Sequence, residues 1–468
     1  VAHLLNLVYL LLLLCVSPWL LYQAIFHGKY RAGFAAKLLG RVPRRTGDAP
    51  CIWLHAVSVG EVNLLGPLIN QLRARRPDCT VVISSTTATG FELARRVYPQ
   101  LAVFYCPLDF TWATQTAMRR VRPDLLVLAE LELWPNLIRA ARRQATKIAV
   151  INGRLSDNSF RGYRRLGPFM RGLLAKIDLI VVQNEQYAQR FRALGADPQR
   201  IHISGSIKFD GAQTDRENPT TQRLRALAGF EAGDSVLLAG STQSGEEAAA
   251  LDAFRACREA YPALRLILVP RHPHRFRPVA RWLASQGEPF VLRSALGPQD
   301  AGPTAEVRIL LVDAVGELGA WWGTADVGFV GGSLGSRGGQ NMIEPAAFGA
   351  AVCFGPNTRN FRDVVTALLA EEAAVVVEDT AALTRFVRDC LEDEAYRHGL
   401  GQRAQNLVLA QQGATRRTMD WLLQLVPQAK SPVTTERGTL QGPHPSGVQT
   451  VGHCSGISTD RQSETSEP

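Results

Sequence analysis

Carboxylates and cations gather at a few short turns of this chain, each just behind an apolar run. The first turn is His55-Ala56-Val57-Ser58-Val59-Gly60-Glu61. A small, glycine-containing turn that opens a helix lets backbone N–H groups approach an anion, and the helix dipole favours an ionised Glu61. Such a residue serves as a general base or as an ordinary helix-start glutamate. The second turn is Glu130-Leu131-Glu132-Leu133-Trp134-Pro135-Asn136. Two carboxylates two residues apart on an extended segment point the same way, so one can face a cleft. The competing role is a cap for a helix starting at Trp134-Pro135. Gly153-Arg154-Leu155-Ser156 follows the run KIAVIN, and Lys208-Phe209-Asp210 follows HISGSI. Lys208 suits an anionic group spanning a cleft, and equally suits solvent.

The second half has its own set. Gly240-Ser241-Thr242-Gln243-Ser244-Gly245-Glu246-Glu247 is a polar turn opening a helix, again anion-friendly. Val269-Pro270-Arg271-His272-Pro273-His274-Arg275 ends an apolar run with a dense set of donors. Gly331-Gly332-Ser333 and Gly338-Gly339-Gln340-Asn341-Met342-Ile343-Glu344-Pro345 surround a further helix start. Glycines there permit close contact with phosphate or ribose, and Glu344 can accept from vicinal hydroxyls. The absence of GxxxxGK[ST] excludes a P-loop NTPase, and the absence of GxGxxG behind the first run disfavours a dinucleotide fold. No metal-ligand spacing occurs.

Elements must hold these turns in place. CIWLHAV, TVVISS, DLLVLA, KIAVIN and DLIVVQ read as buried parallel strands, each followed by a helical pattern. Val62, Leu65, Ile69 and Leu72 share one helix face, which stops at Arg76-Pro77. After the polar stretch 210–219 the alternation resumes with SVLLAG, LRLILVP, VRILLV, DVGFVGG, AAVCFG and AAVVVE. Strand–helix alternation means parallel sheets flanked by helices. Two such halves make a bilobal α/β protein, whose ligands bind beyond the carboxyl ends of the strands.

The chain has 468 residues, 46% hydrophobic and 20% charged, with a mean hydropathy of −0.03. Disordered, collagen-like and polytopic membrane classes are thereby excluded. The formal net charge of +10 calls for an anionic partner: nucleic acid, substrate or membrane. Its basic residues are not interleaved with aromatics in a patch, so nucleic acid is set aside. Eight cysteines without CxxC spacing indicate unpaired thiols in a reducing compartment.

The ends lie outside the two halves. Residues 1–26 carry no charged side chain, and as a helix they are long enough to cross a hydrocarbon layer of ~30 Å. Pro18 should kink it, and Trp19 and Tyr22 suit an interface. A cleaved signal peptide fits less well, because positive charge follows the apolar run instead of preceding it. The next basic residues, Lys29, Arg31, Lys37, Arg41, Arg44 and Arg45, place the remainder in the cytoplasm by the positive-inside tendency and can also lie on anionic headgroups. The tail, rich in Ser, Thr, Gly, Pro and Gln, should be disordered.

Together, HAVSVGE, ELELWPN, NGRLS, GSIKFD, GSTQSGEE, VPRHP, GELGAWW, FVGGSL, GGQNMIEPAA and GPNTRNF resemble, in order, the 3-deoxy-D-manno-octulosonic acid (Kdo) transferases of lipopolysaccharide assembly. The resemblance runs from the anchor to about residue 425. It implies a GT-B glycosyltransferase with two Rossmann-like domains facing a cleft and an N-terminal transmembrane anchor. The corresponding division is 1–26 anchor, 27–47 basic segment, 48–213 acceptor-binding domain, 214–426 CMP-sugar-binding domain and 427–468 tail. The implied donor is CMP-Kdo and the acceptor a lipid A precursor, at the cytoplasmic face of the inner membrane, with transfer inverting and without metal or other cofactor. By similarity Glu61 is the general base, and Glu130 and Lys208 stabilise the transition state. CMP-binding segments fall on Arg271 and His272, on Val315, Gly316 and Glu317, and on Asn341, Met342, Ile343 and Glu344. Gln243, Gln340 and Asn357 stand where the family usually has histidine, so hydrogen bonding is kept and a titratable group lost. The alternatives are another membrane-associated GT-B enzyme using a different nucleotide sugar, and an inactive anchored nucleotide-binding scaffold.

Overall fold

The computed structural model describes residues 2–27, 32–231, 233–297 and 307–428. Lys29, Arg31 and Cys454, and the tail from residue 429, lie outside the described residues. Among the described residues, fourteen strands form two seven-stranded sheets.

The first sheet contains β1 (Cys51–His55), β2 (Thr80–Ser85), β3 (Ala102–Tyr105), β4 (Leu125–Ala129), β5 (Lys147–Gly153), β6 (Leu179–Val182) and β7 (Ile201–Ile203), in the order β3-β2-β1-β4-β5-β6-β7. Every pairing is parallel. β1 and β4 are buried along their whole length, because helices cover both faces. Trp53 packs into one face and Ile52 and Leu54 into the other. Each such fully buried aliphatic side chain contributes about 1.5–3 kcal/mol.

The second sheet contains β8 (Ser235–Thr242), β9 (Leu264–Pro270), β10 (Phe290–Leu292), β11 (Ile309–Leu311), β12 (Val327–Val330), β13 (Ala351–Phe354) and β14 (Ala374–Val376), in the order β10-β11-β9-β8-β12-β13-β14. It too is parallel throughout. Without the short edge strand β10 it repeats the doubly wound order of the first sheet. The strand order reverses between β1 and β4, and again between β8 and β12. Those two crevices are where a ligand meets such a sheet.

The last helix, Ala414–Leu425, follows the second half in sequence but packs on the first sheet. Ala414, Met419 and Leu422 join the core built by Leu54, Ile69 and Val127. The chain therefore crosses between the halves twice, near Asp210 and near Gly413.

The N-terminal helix Ala2–His27 contains Pro18. Its segments His3–Trp19 and Leu21–His27 meet at 43°. Among the described residues no single helix is long and apolar enough to cross a membrane; this bent pair passes by length and composition. The single anchor helix expected from the sequence is corrected to this bent pair, and the expected kink at Pro18 is its physical reason, because a proline removes a backbone donor and crowds the preceding turn. In the basic segment, Lys37 lies 4.2 Å from the Tyr105 ring centroid and Arg45 turns towards Asp124 at 4.0 Å, whereas Arg41 and Arg44 are exposed. The cysteines among the described residues are unpaired.

Candidate active site

Glu61 and Glu130 stand at the two strand ends that flank the first sheet's reversal. Ser58 caps the helix Val59–Arg75, its hydroxyl accepting from the Glu61 N–H at 3.5 Å. The Glu61 carboxylate turns back into the same turn, accepting from Val57 N–H at 2.8 Å and from the Ser58 hydroxyl at 3.1 Å. Those two bonds fix its direction and leave lone pairs unused, since a carboxylate has about four acceptor sites. Burial raises its pKa, with the Glu130 charge adding to the rise and the Val57, Ser58 and Arg154 contacts opposing it. A carboxylate shifted this way is a stronger base.

Glu130 is buried and has a φ of 56°, the left-handed region that non-glycine residues rarely occupy. Its strained backbone swings the carboxylate off the strand line into a double ion pair: Oε1 lies 3.2 Å from Lys208 Nζ, and Oε2 accepts from Arg154 Nε at 2.8 Å. Asn152 and Ser241, also at strand ends, share this conformation at 52° and 56°. Strain of this kind gathers where a site requires it. Asn152 uses it to accept from Ile207 N–H at 3.1 Å through Oδ1, which fixes the turn carrying Lys208.

Arg154, Tyr187 and Glu132 carry weight that the sequence did not assign them, although Arg154 and Glu132 already stood out at strand ends. Arg154 reaches across the crevice, its Nη1 donating to Asp363 of the second half at 3.2 Å while Nε holds Glu130. Tyr187 donates to the same Asp363 at 3.4 Å. Glu132 accepts from Trp134 Nε1 at 2.9 Å. Burial pushes its carboxyl up to about 7, helped by the charges of Glu61 and Glu130 and opposed by the Trp134 bond. The site thus holds three carboxylates, and ELELWPN was the available signal for the third.

In the second half several of the strand-end residues are linked in pairs. Arg271 Nε donates to Gln340 Oε1 at 2.9 Å, and its backbone N–H to Thr242 C=O at 3.1 Å. Asn341 Nδ2 donates to Glu344 Oε1 at 3.0 Å. Burial raises the Glu344 pKa, with Asn341 and the Arg271 charge opposing. A Cβ on Gly319 would sit 3.9 Å from Glu344 Oε2, which places the start of the helix Leu318–Trp321, just after the Val315–Gly316–Glu317 turn, beside it. His272 is exposed beside His274, ring centroids 5.3 Å apart, and its pKa is lowered by desolvation and the surrounding cations. Glu317 is committed to a bidentate pair with Arg293, both bonds 2.8 Å, and Val315 is 76% exposed. Met342 and Ile343 are buried in the core, so only their backbone is available to a ligand.

The turn after β8 differs from its sequence reading as an open anion site. The protein fills it with its own carboxylate. Glu246, 2% exposed, accepts from the N–H groups of Gln243, Gly332, Ser333 and Leu334 at 2.7–3.0 Å. Gly331 is obligatory here, since a Cβ would come within 2.8 Å of Glu246 Oε2 and closer still to the backbone of Ser241 and Thr242. Of the three residues at positions where the resemblance implies histidine, Gln340 orients Arg271, Gln243 contributes its backbone N–H, and Asn357 Nδ2 donates to Leu334 C=O at 3.3 Å. Among the described residues no group of three or more His, Cys, Asp or Glu could hold a metal ion.

The family model for 3-deoxy-D-manno-octulosonic-acid transferase (kdotransferase) matches residues 29–211. A 3-deoxy-D-manno-octulosonic acid transferase of Bordetella pertussis is 35% identical over 89% of this chain and 98% of its own. Another, from Haemophilus influenzae, is 33% identical over 80% of this chain and 88% of its own. Among solved structures, a UDP-GlcNAc 2-epimerase from Neisseria meningitidis superposes with a TM-score of 0.54 over 80% of this chain and 100% of its own, at 13% identity. That last likeness is one of fold alone, and it agrees with two parallel-sheet halves of the GT-B kind.

Proposed function

The chain belongs to the Kdo transferase family of glycosyltransferases, and from that premise we propose that it transfers Kdo from CMP-Kdo to a lipid A precursor, inverting the anomeric centre without a metal. The observation that carries the mechanism is the placing of Glu61 beside the Glu130–Lys208–Arg154 ion bridge at the reversal of the first sheet.

The acceptor hydroxyl gives its proton to Glu61 as its oxygen attacks C2 of Kdo from the face opposite the leaving group. The C2–O bond to phosphate breaks, CMP departs with the electron pair, and the proton stays on Glu61. A positioned carboxylate base contributes typically 10²–10⁴-fold. Lys208 and Arg271 meet the charge developing on the leaving phosphate. Glu130, being negative, cannot serve the phosphate directly; it holds Lys208 and Arg154 in place and faces the oxocarbenium side. Asn341, Glu344 and the turn at Val315, Gly316 and Glu317 line the seat of CMP, with Arg271 and His272 above its phosphate. The bent N-terminal helix and the exposed Arg41 and Arg44 hold the two halves at the cytoplasmic face of the inner membrane, among anionic lipids.

The test is incubation of the purified protein with CMP-Kdo and a tetra-acylated lipid A precursor in the presence of EDTA, reading product mass. Product heavier by one or more Kdo units, and a loss of about 10²-fold or more in Glu61→Gln, is the expected result. CMP release unchanged in that variant refutes Glu61 as base. Transfer from a UDP-sugar instead of CMP-Kdo refutes the donor.

A further inference from the structure

The N-terminal helix is docked on the first half by specific polar contacts. Asn6 is buried; its Nδ2 donates to Thr111 Oγ1 at 2.7 Å, and its Oδ1 accepts from Thr111 N–H at 3.1 Å. One turn on, the Tyr9 hydroxyl donates to Asp109 at 3.3 Å while its ring meets Phe110 edge-on at 6.1 Å. Beyond Tyr9 the helix stands away from the domain and leaves a cavity of about 270 Å³. Leu12, Leu13 and Val16 form one wall, and Leu108, Phe110 and Trp134 the other. Asp109 also borders it, but its carboxylate is engaged by the N–H groups of Asn136 and Leu137 at 2.8–3.0 Å as well as by Tyr9. The lining therefore offers hydrocarbon and no free polar group. Water gains nothing in such a space, and an apolar guest does.

Trp134 has two sides. Its ring lines the cavity, and its N–H donates to Glu132, the carboxyl whose pKa is raised in part by Glu61 and Glu130. The cavity thus lies on one side of the indole and Glu132, whose charge interacts with the proposed base, on the other. The wall helix exposes Leu4, Leu7, Leu11 and Leu14, each more than half accessible, so a guest arrives from an apolar phase and not from water. One molecule meets both conditions: an amphipathic one with a sugar hydroxyl at Glu61 and a hydrocarbon chain behind Trp134.

We propose that the cavity between the N-terminal helix and the Leu108–Phe110–Trp134 wall is an acceptor subsite that seats one fatty-acyl chain of the glycolipid while its hydroxyl lies at Glu61. The inference rests on the glycolipid-acceptor reading above. The helix then acts as part of the acceptor site as well as an anchor.

The full-length protein in detergent is assayed with two acceptors, the tetra-acylated disaccharide and the same disaccharide fully de-acylated. Leu13→Trp fills the cavity; Leu13→Met keeps its volume. Leu13→Trp should raise KM for the acylated acceptor about tenfold with kcat within twofold, and leave KM for the de-acylated acceptor unchanged; Leu13→Met should match the parent. An equal rise for both acceptors, or none, overturns the proposal. Independently of turnover, a diazirine near the end of an acyl chain should label residues 9–16 and 108–134, and labelling confined to other segments overturns it. Labelling of these segments by a parent protein that transfers Kdo to neither acceptor would refute the transfer reading while upholding the seat.

Discussion

Glu132 shows how much a single residue can cost and what that cost implies. Its carboxyl rises from the ordinary 4.5 to about 7 through burial beside two other carboxylates. The folded protein therefore keeps a proton that the unfolded chain releases, and stability falls as pH rises from about 4.5 through 7. Above that window the full penalty applies, about 1–3 kcal/mol after screening at a half-buried site. Glu132→Gln carries no such charge. It should raise Tm by several degrees at pH 8, with the gain shrinking towards nothing below pH 5, in thermal unfolding followed at both pH values. A gain that is equal at the two pH values would show that the carboxyl's charge is not the burden. Retaining a destabilising group beside the proposed base is the trade-off expected of a functional site. The same holds for the left-handed backbone of Glu130.

Among the elements, the backbone donors at the second sheet's reversal are taken up by a side chain of the protein itself. Four backbone N–H groups from the β8 turn and the β12 turn converge on Glu246, where the dipole of the helix Glu246–Cys257 also favours a negative charge. Glu246→Ala would leave those donors buried and unpaired, a loss of roughly 3–5 kcal/mol; Glu246→Gln, which keeps one accepting oxygen, should lose less. Urea unfolding followed through the buried Trp321 and Trp322 would measure both. A loss under about 1 kcal/mol in the alanine variant would mean that water replaces the carboxylate. Sequence pattern located this turn and its anion-binding character, but not which anion fills it, because Glu246 looks the same whether it faces a ligand or its own backbone. Continuous apolar runs identified the central strands for a related reason: they are buried on both faces. β3 and β10 escaped because they are edge strands, short and partly exposed. Arg154, Glu130 and Lys208 each stood out at a strand end, yet their pairing lies in the third dimension, since parallel neighbours in a sheet are far apart in sequence.

At the scale of the molecule, the two halves are joined by contacts of very different strength. Across the crevice, Arg154 and Asp363 pair at 3.2 Å, but their side chains are 44% and 46% exposed. Ion pairs that open to water are worth ~0–1 kcal/mol. At the double chain crossing the situation reverses. The helix Ala414–Leu425 starts at Gly413, which has no side chain to cap it. Asp210, from the other crossing strand of chain, accepts from the N–H groups of Gly413, Ala414 and Thr415 instead. Gln412 Nε2 donates back to Ala212 C=O at 3.0 Å, and Arg417 to Ser204 C=O at 2.6 Å. A helix pattern alone could not have told which sheet this helix covers; the remote cap and the apolar face shared with Leu54 and Val127 decide it. The crossing is therefore the fixed point, and the Arg154–Asp363 pair a loose clasp. Asp210→Ala should cost about 1–2 kcal/mol, the worth of a lost helix cap, and lower Tm by a few degrees. Asp363→Ala should leave Tm within about 1 °C, because it removes only an exposed ion pair and one long hydrogen bond from Tyr187. Differential scanning calorimetry of the two variants beside the parent gives the comparison, and an Asp363→Ala loss as large as that of Asp210→Ala would place the structural joint in the crevice instead of at the crossing.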